Sequence, residues 1–212
     1  MEAMWMFFLP PHKRLREEIE KGTLGEVIHV NATLGFDLDL PRILRKDLGG
    51  GTTLDLGVYT TYLAHLVFDR ERPLKVMTTG ELNEDGIDVS AITVLQYSKG
   101  RTATLATHAR VNIPNRAEVF GKKGSMSLNR LFHNTDTVVM PDGKEVKYPL
   151  NKGRYPFIFD NSAGLGFEAQ HVRECLLKGL KESPVVTHED TMIVAETMES
   201  IRKQVGVVYN QD

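Results

Sequence analysis

The sequence predicts an α+β fold, and three observations carry that expectation. Helical and extended patterns share residues 1–68. Residues 74–150 break into short β-branched runs separated by turn chemistry. Two helical stretches then close the chain.

Residues 1–9, Met-Glu-Ala-Met-Trp-Met-Phe-Phe-Leu, read as a buried strand that begins abruptly and is ended by Pro10-Pro11. Residues 12–21 form a charged helix with Leu15 and Ile19 on one face, closed by Gly22. Residues 26–34 alternate as a strand: Ile28, Val30, Ala32 and Leu34 point one way, and Val27, His29, Asn31 and Thr33 the other. Residues 35–48, with Pro41 and the basic Arg42, Arg45 and Lys46, read as a loop. Gly49-Gly50-Gly51 then opens into a helix that runs to Phe68, with Thr52 or Thr53 as its N-cap. Leu54, Val58, Tyr62 and Leu66 make one apolar line along it, and Leu56, Leu63 and Val67 a second. A helix apolar on two sides is expected to be buried on two sides.

The turn signals of the middle section are Asn83-Glu84-Asp85-Gly86, Ser98-Lys99-Gly100, Lys122-Lys123-Gly124 and Pro141-Asp142-Gly143. Between them, runs at 75–82, 89–97, 102–111, 116–120, 125–128, 137–140 and 145–148 predict consecutive antiparallel strands. The run Thr102-Ala103-Thr104-Leu105-Ala106-Thr107 predicts a flat sheet face, either open to solvent or covered by a partner. Residues 163–181 place Leu165, Ala169, Val172, Leu176 and Leu180 at helical steps, and Ser183-Pro184 breaks that pattern. Thr187, with Asp190 three residues on, reads as a capping box for a last helix that carries Ile193, Val194, Met198, Ile201 and Val205.

Composition narrows the function. The chain has 212 residues, 26 basic and 28 acidic side chains and a formal net charge of −2. A nucleic-acid partner, which calls for a clustered basic excess, is not expected. No apolar run approaches the about 18 residues of a membrane helix, so no membrane partner is expected either. The single cysteine, Cys175, excludes an internal disulfide framework; a reducing, cytoplasmic setting is expected.

Two stretches carry chemistry. In Gly49-Gly50-Gly51-Thr52-Thr53-Leu54-Asp55-Leu56-Gly57-Val58-Tyr59 the carboxylate of Asp55 and the phenol of Tyr59 stand four apart, on one face of the first helical turns. Two readings stay open there: a plain glycine turn with a dipole-matched acid, or a loop that holds a small polar molecule. The spacing is not that of the dinucleotide fingerprint, and Gly121-Lys122-Lys123-Gly124-Ser125 reads as a hairpin turn rather than a phosphate cradle. In Tyr155-Pro156-Phe157-Ile158-Phe159-Asp160-Asn161-Ser162-Ala163-Gly164, aromatics precede a polar pair at a helix start. Capping by Asp160, Asn161 or Ser162 and the lining of a pocket remain alternatives. The seven histidines are scattered, and Glu168 with His171 is the one pair at metal-carboxylate spacing, so no metal is expected.

These stretches, together with residues 2–10, Gly22-Thr23-Leu24-Gly25, residues 168–176, residues 181–185 and Val205-Gly206-Val207, resemble the C-terminal part of the Gfo/Idh/MocA oxidoreductases, and within them the dimeric dihydrodiol-dehydrogenase branch. The resemblance spans nearly the whole chain. It implies an open, mostly antiparallel sheet with helices packed on one face, whose other face makes a homodimer. It implies that residues 1–212 are a substrate-binding and dimerisation domain. A Rossmann domain that binds NADP and supplies a catalytic lysine is, on this reading, absent from the chain. The implied activity is hydride transfer from trans-dihydrodiols of aromatic hydrocarbons or from D-xylose; the alternative is a non-catalytic dimerisation module. Residue by residue, Tyr59 matches the family's catalytic tyrosine and Asp55 the acid of the same motif. Trp5, Phe159 and Asp160 match residues that line the substrate pocket. Leu34, with Phe36 two residues on, stands where relatives carry a pocket aromatic.

Overall fold

The computed structural model describes residues 1–129, 131–157, 159–210 and 212. Ile158, inside the second aromatic stretch, lies outside the described residues. The opening apolar run is not a strand. Residues Trp5–Phe8 form a 3-10 turn, and Pro10 and Pro11 begin the helix α1 (Pro10–Glu20) rather than end a strand. Proline is favoured in a first helical turn because its missing N–H has no intrahelical partner there. The run is apolar because Met6, Phe7 and Leu9 enter the core as this turn folds back on it.

Strand β1 (Val27–Gly35) follows. The segment read as loop holds two short turns, α2 (Pro41–Leu44) and a 3-10 turn at Lys46–Leu48. After the glycines, Thr53–Gly57 is a single π turn that runs into α3 (Val58–Val67). The middle section gives β2 (Lys75–Leu82), β3 (Asp88–Gln96), β4 (Thr102–His108), β5 (Ala117–Gly121), β6 (Gly124–Leu128), β7 (Thr137–Val139) and β8 (Glu145–Lys147). Two helices end the chain, α4 (Leu165–Leu177) and α5 (His188–Val205). Among the described residues no helix is long and apolar enough to cross a membrane.

The strands form one open sheet in the order β2-β3-β4-β1-β5-β6-β7-β8. Consecutive strands pair antiparallel, with one departure: β1 inserts between β4 and β5 and runs parallel to β4. Local turn chemistry predicts hairpins, and no local signal marks a pairing between residues 73 apart in sequence, such as His29 with Thr102 and Gly35 with His108. Val30, Ala32 and Leu34 face the core as the alternation predicts. A register shift between Val27 and His29 turns Val27 inward in place of Ile28.

One sheet face, carrying Val30, Ala32, Ala103, Leu105, Val119 and Met126, is covered by α1, α3 and α5 through Leu15, Leu63 and Val194. Helix α3 packs on β1 and β4 and, beside it on the sheet, against α5, so it is buried on two sides. Of the two predicted lines, Leu56, Leu63 and Val67 are buried throughout, and the other is buried at Tyr62 but exposed at its head, Leu54. Residues on the opposite sheet face, among them Ile92, Val94, Thr104 and Ala106, are half-buried or exposed.

Helix α4 departs from its predicted face. The line through Leu165, Leu176 and Leu180 is exposed, and Phe167, His171 and Cys175 turn toward the molecule instead. Helix α5 keeps its predicted start: the Thr187 hydroxyl accepts the Asp190 N–H, and the Asp190 carboxylate accepts the Thr187 N–H. Buried His65 binds the same carboxylate.

His12 on α1 is buried, and its Nε2–H donates to the carbonyl of Phe132 at 2.8 Å. Burial holds its pKa at about 3, against 6.5 for a free imidazole. Between these values the unfolded chain carries the extra proton. Stability from this group is therefore complete above pH 6.5 and is lost as pH falls toward 3. Urea unfolding between pH 7 and pH 4.5 is expected to show a falling midpoint in the native chain and a shallower fall in His12→Phe. Parallel slopes would assign the acid sensitivity to other groups.

Candidate functional site

A cavity of about 620 Å³ opens where β1, the π turn and the segment after β6 meet. All five residues singled out by sequence line it: Trp5, Asp55, Tyr59, Phe159 and Asp160. Leu34 and Phe36 at the end of β1 form part of its apolar wall, and Leu131, His133, Asn134 and Ser162 complete the lining.

The glycine loop is anchored from behind. Asp88, at the start of β3, is buried, and its Oδ2 accepts the Thr52 hydroxyl at 2.7 Å, the Thr53 N–H at 2.7 Å and the Thr53 hydroxyl at 2.9 Å. Thr107 of β4 donates to the Thr52 hydroxyl at 3.0 Å. Neither threonine caps the helix as predicted, because the carboxylate of Asp88 takes both hydroxyls. Gly51 has φ +121, and a Cβ there would lie 2.5 Å from Asp88 Oδ1. A Cβ on Gly50 would lie 2.5 Å from the Ile43 carbonyl oxygen. Only glycine lets the loop pass this close to its supports.

The loop leads into the π turn, a wide turn that often sits at functional sites. Asp55 and Tyr59 both face the cavity from it. Arg42 of α2 donates to Asp55 at the cavity mouth, where both side chains are partly exposed. The Trp5 indole N–H donates to the Tyr59 hydroxyl oxygen at 3.3 Å. That bond uses a lone pair of the phenol and leaves its O–H free to donate to a ligand. Burial, reinforced by the nearby Asp55 charge, raises the Tyr59 pKa, so the phenol keeps its proton at neutral pH.

A second wall is pinned as firmly. A 3-10 turn, Phe132–Asn134, carries His133 into the cavity. His12 holds the Phe132 carbonyl, and the Phe132 N–H donates to the Asn115 carbonyl at 2.9 Å. The Asn134 side chain donates to the Asp160 carbonyl at 3.0 Å, and the Asn161 side chain returns a bond to the Asn134 carbonyl at 2.9 Å. These bonds join the aromatic stretch to the turn. Asp160, Asn161 and Ser162 make no side-chain cap for the following helix. Phe159 is 74% exposed and forms the rim.

Sequence reasoning passed over His133 and Arg42 as site residues. His133 has no neighbour pattern that marks it, and Arg42 reads only as a charge in a loop. A second depression, of about 650 Å³ between α1 and α4, includes Phe8, Lys13, Arg16 and His171 but none of the five predicted residues. There His171 bonds Ser183 at 2.8 Å and stacks on Phe8. Among the described residues no group of three His, Cys, Asp or Glu side chains is placed to hold a metal ion.

Comparison with known proteins places this cavity in a family. Residues 12–127 match the family model described as the GFO/IDH/MocA C-terminal domain. The chain belongs to this GFO/IDH/MocA family. Trans-1,2-dihydrobenzene-1,2-diol dehydrogenase of Xenopus tropicalis is 37% identical over 210 residues, covering 99% of this chain and 63% of the relative. The Mus musculus protein of that name is 38% identical over 213 residues, covering 100% of this chain and 63% of its own length. The GFO/IDH/MocA chain described here thus spans less than two thirds of the curated relatives it matches. Among solved structures, aldose-aldose oxidoreductase from Caulobacter crescentus, complexed with glycerol, superposes with a TM-score of 0.75 at 22% identity, covering 95% of this chain and 60% of that one. A 3-ketoreductase from Actinomadura kijaniata, in complex with NADP, does so with a TM-score of 0.75 at 20% identity, covering 95% and 61%. These two likenesses establish the fold.

Removing Asp88 leaves three donors without their acceptor in a buried setting. Asp88→Ala is expected to cost about 3 kcal/mol of stability, while Asp88→Asn, which keeps an acceptor oxygen, costs less. Thermal melts of the three proteins check the order. A melt of Asp88→Ala equal to that of the native chain would show that the loop stands without its brace.

Proposed function

We propose that this chain is the substrate-holding part of a nicotinamide-dependent oxidoreductase acting on a vicinal diol or a sugar hydroxyl. The observation that carries the reading is the free Tyr59 O–H, set beside Trp5 in a mostly apolar cavity, in a chain whose relatives are named dihydrodiol dehydrogenases. In this reading Tyr59 donates to the substrate hydroxyl and manages its proton. Asp55, paired with Arg42 at the mouth, and Asp160 at the rim orient the diol or sugar, and Trp5 and Phe159 pack on its carbon face. Trans-dihydrodiols of aromatic hydrocarbons and D-xylose are the substrates proposed.

NADP is the proposed cofactor, and it supplies the hydride acceptor when bound. The glycines of this chain do not fit a dinucleotide: Gly50 and Gly51 are backed by Ile43 and Asp88, with no open cradle between a strand end and a helix start. The reading therefore assigns cofactor binding to protein beyond the described residues, and turnover by this chain alone is not expected. Self-association is proposed through the sheet face that carries Ile92, Val94, Thr104 and Ala106, because a broad, partly apolar sheet face is seldom left bare.

Ligand-observed saturation-transfer NMR is expected to detect a trans-dihydrodiol or D-xylose on the native chain and to lose most of that signal in Tyr59→Phe at an unchanged melting temperature. Equal signals would remove Tyr59 from the site. Where the cofactor-binding part is present, the same substitution is expected to lower kcat by roughly a hundredfold or more. Light scattering is expected to give twice the 23.8 kDa mass of one chain, and Ile92→Glu to halve it. A native monomer would end the self-association proposal.

A further inference from the structure

His133 lines the cavity beside the proposed proton-handling phenol. Its ring centroid is 5.2 Å from that of Tyr59, with the planes tilted at 56°. Trp5 and Phe36 meet the ring edge-on at 6.5 and 6.3 Å. The imidazole is thus wedged among aromatic rings, on a turn whose backbone is tied down at Phe132 by His12 and Asn115. A side chain held this way has one orientation available.

The ring is also uncommitted. Its Nδ1 is sealed in the wall, whereas its Nε2 is not sealed and makes no hydrogen bond among the described residues, so Nε2 is the nitrogen open to a ligand. A polar atom in such a wall is best satisfied when a ligand or water pairs with it. Burial lowers its pKa to about 4, so the ring is neutral in the physiological range. The open nitrogen of a neutral imidazole is a donor in one tautomer and an acceptor in the other, and a hydroxyl group can pair with either. The other polar side chains of the cavity are less available: Asp55 is paired with Arg42, and Asp160 lies at the exposed rim.

We propose that His133 binds the second hydroxyl of a vicinal diol, the one not engaged by Tyr59, and thereby makes the cavity selective for diols over simple alcohols. This rests on the reading of the cavity as a hydroxyl-substrate site. The ring contact sets the imidazole beside the phenol on one stretch of the cavity wall, so that neighbouring hydroxyls of one ligand can meet Tyr59 and the open His133 nitrogen. A simple alcohol satisfies Tyr59 and leaves the imidazole unpaired, so the discrimination arises from an unmet polar group in a dry wall.

Trp5 is the only tryptophan of the chain and lines the cavity, so its fluorescence reports occupancy. Titrations with trans-1,2-cyclohexanediol and with cyclohexanol are expected to show the diol binding about tenfold more tightly, the worth of one good hydrogen bond. His133→Phe keeps the aromatic packing and is expected to bring the two affinities together. His133→Gln restores a donor and an acceptor and is expected to recover part of the preference, which a loss of folding would not do. Equal affinities in the native chain, or a diol preference that survives in His133→Phe, would overturn the assignment of His133 while leaving the cavity a hydroxyl site. No fluorescence response to either compound would overturn both.

Discussion

Asp88 reaches from the head of β3 to the first residues after the glycine loop and takes three hydrogen bonds on one carboxylate oxygen. Everything that faces the cavity from the π turn depends on that attachment. The loop has no side chains of its own to pack. Asn83 at Leu44, Asp85 at Lys46, Tyr209 at Gly50 and Thr107 at Thr52 also hold this segment, but Asp88 alone takes both Thr52 and Thr53, the residues that lead into the π turn. The carboxylate makes Thr52 and Thr53 part of the sheet, and through them it sets where Asp55 and Tyr59 emerge. Burial raises the Asp88 pKa even though the three donors oppose that shift. A buried acid kept at this position is a structural commitment to the loop's geometry rather than a neutral filler.

The second wall uses the same logic with uncharged groups. His12 and Asn115 fix the turn that bears His133, and Asn134 and Asn161 exchange bonds that bring Asp160 to the cavity. The two walls rest on one frame, because β1 lies between β4, which supports Thr52 through Thr107, and β5, which follows directly on Asn115 and leads to β6. Placing β1 at the centre of the sheet makes the cavity a junction between segments remote in sequence. A ligand entering it meets groups already held in place, which lowers the ordering cost of binding.

Much of this was legible in the sequence. The runs at 75–82 and 125–128 fall on observed strands because Asn83–Gly86 and Lys122-Lys123 chemistry acts locally. The capping box at Thr187 was readable for the same reason. The family resemblance brought Trp5, Asp55, Tyr59, Phe159 and Asp160 forward, and the structure brings all five to one cavity. What escaped was non-local. The apolar residues 1–9 suit a strand as well as a 3-10 turn, and only their contact with the core decides between them. Hydrophobic spacing in α4 describes an apolar line but cannot say whether anything lies against it. Asp88, Arg42 and His133 have no local pattern at all; each acquires its meaning from a segment that folding brings alongside.

The cavity lined by Tyr59 and His133 is proposed to be a hydroxyl-binding site formed in advance by a braced loop. The sharpest test is a crystal structure of the chain soaked with trans-1,2-cyclohexanediol. The expected result is density for the diol against Trp5, with one oxygen within hydrogen-bond distance of the Tyr59 hydroxyl and residues 49–59 unmoved. Diol bound elsewhere with this cavity empty, or a loop rebuilt around the ligand with the Asp88 bonds broken, would contradict it.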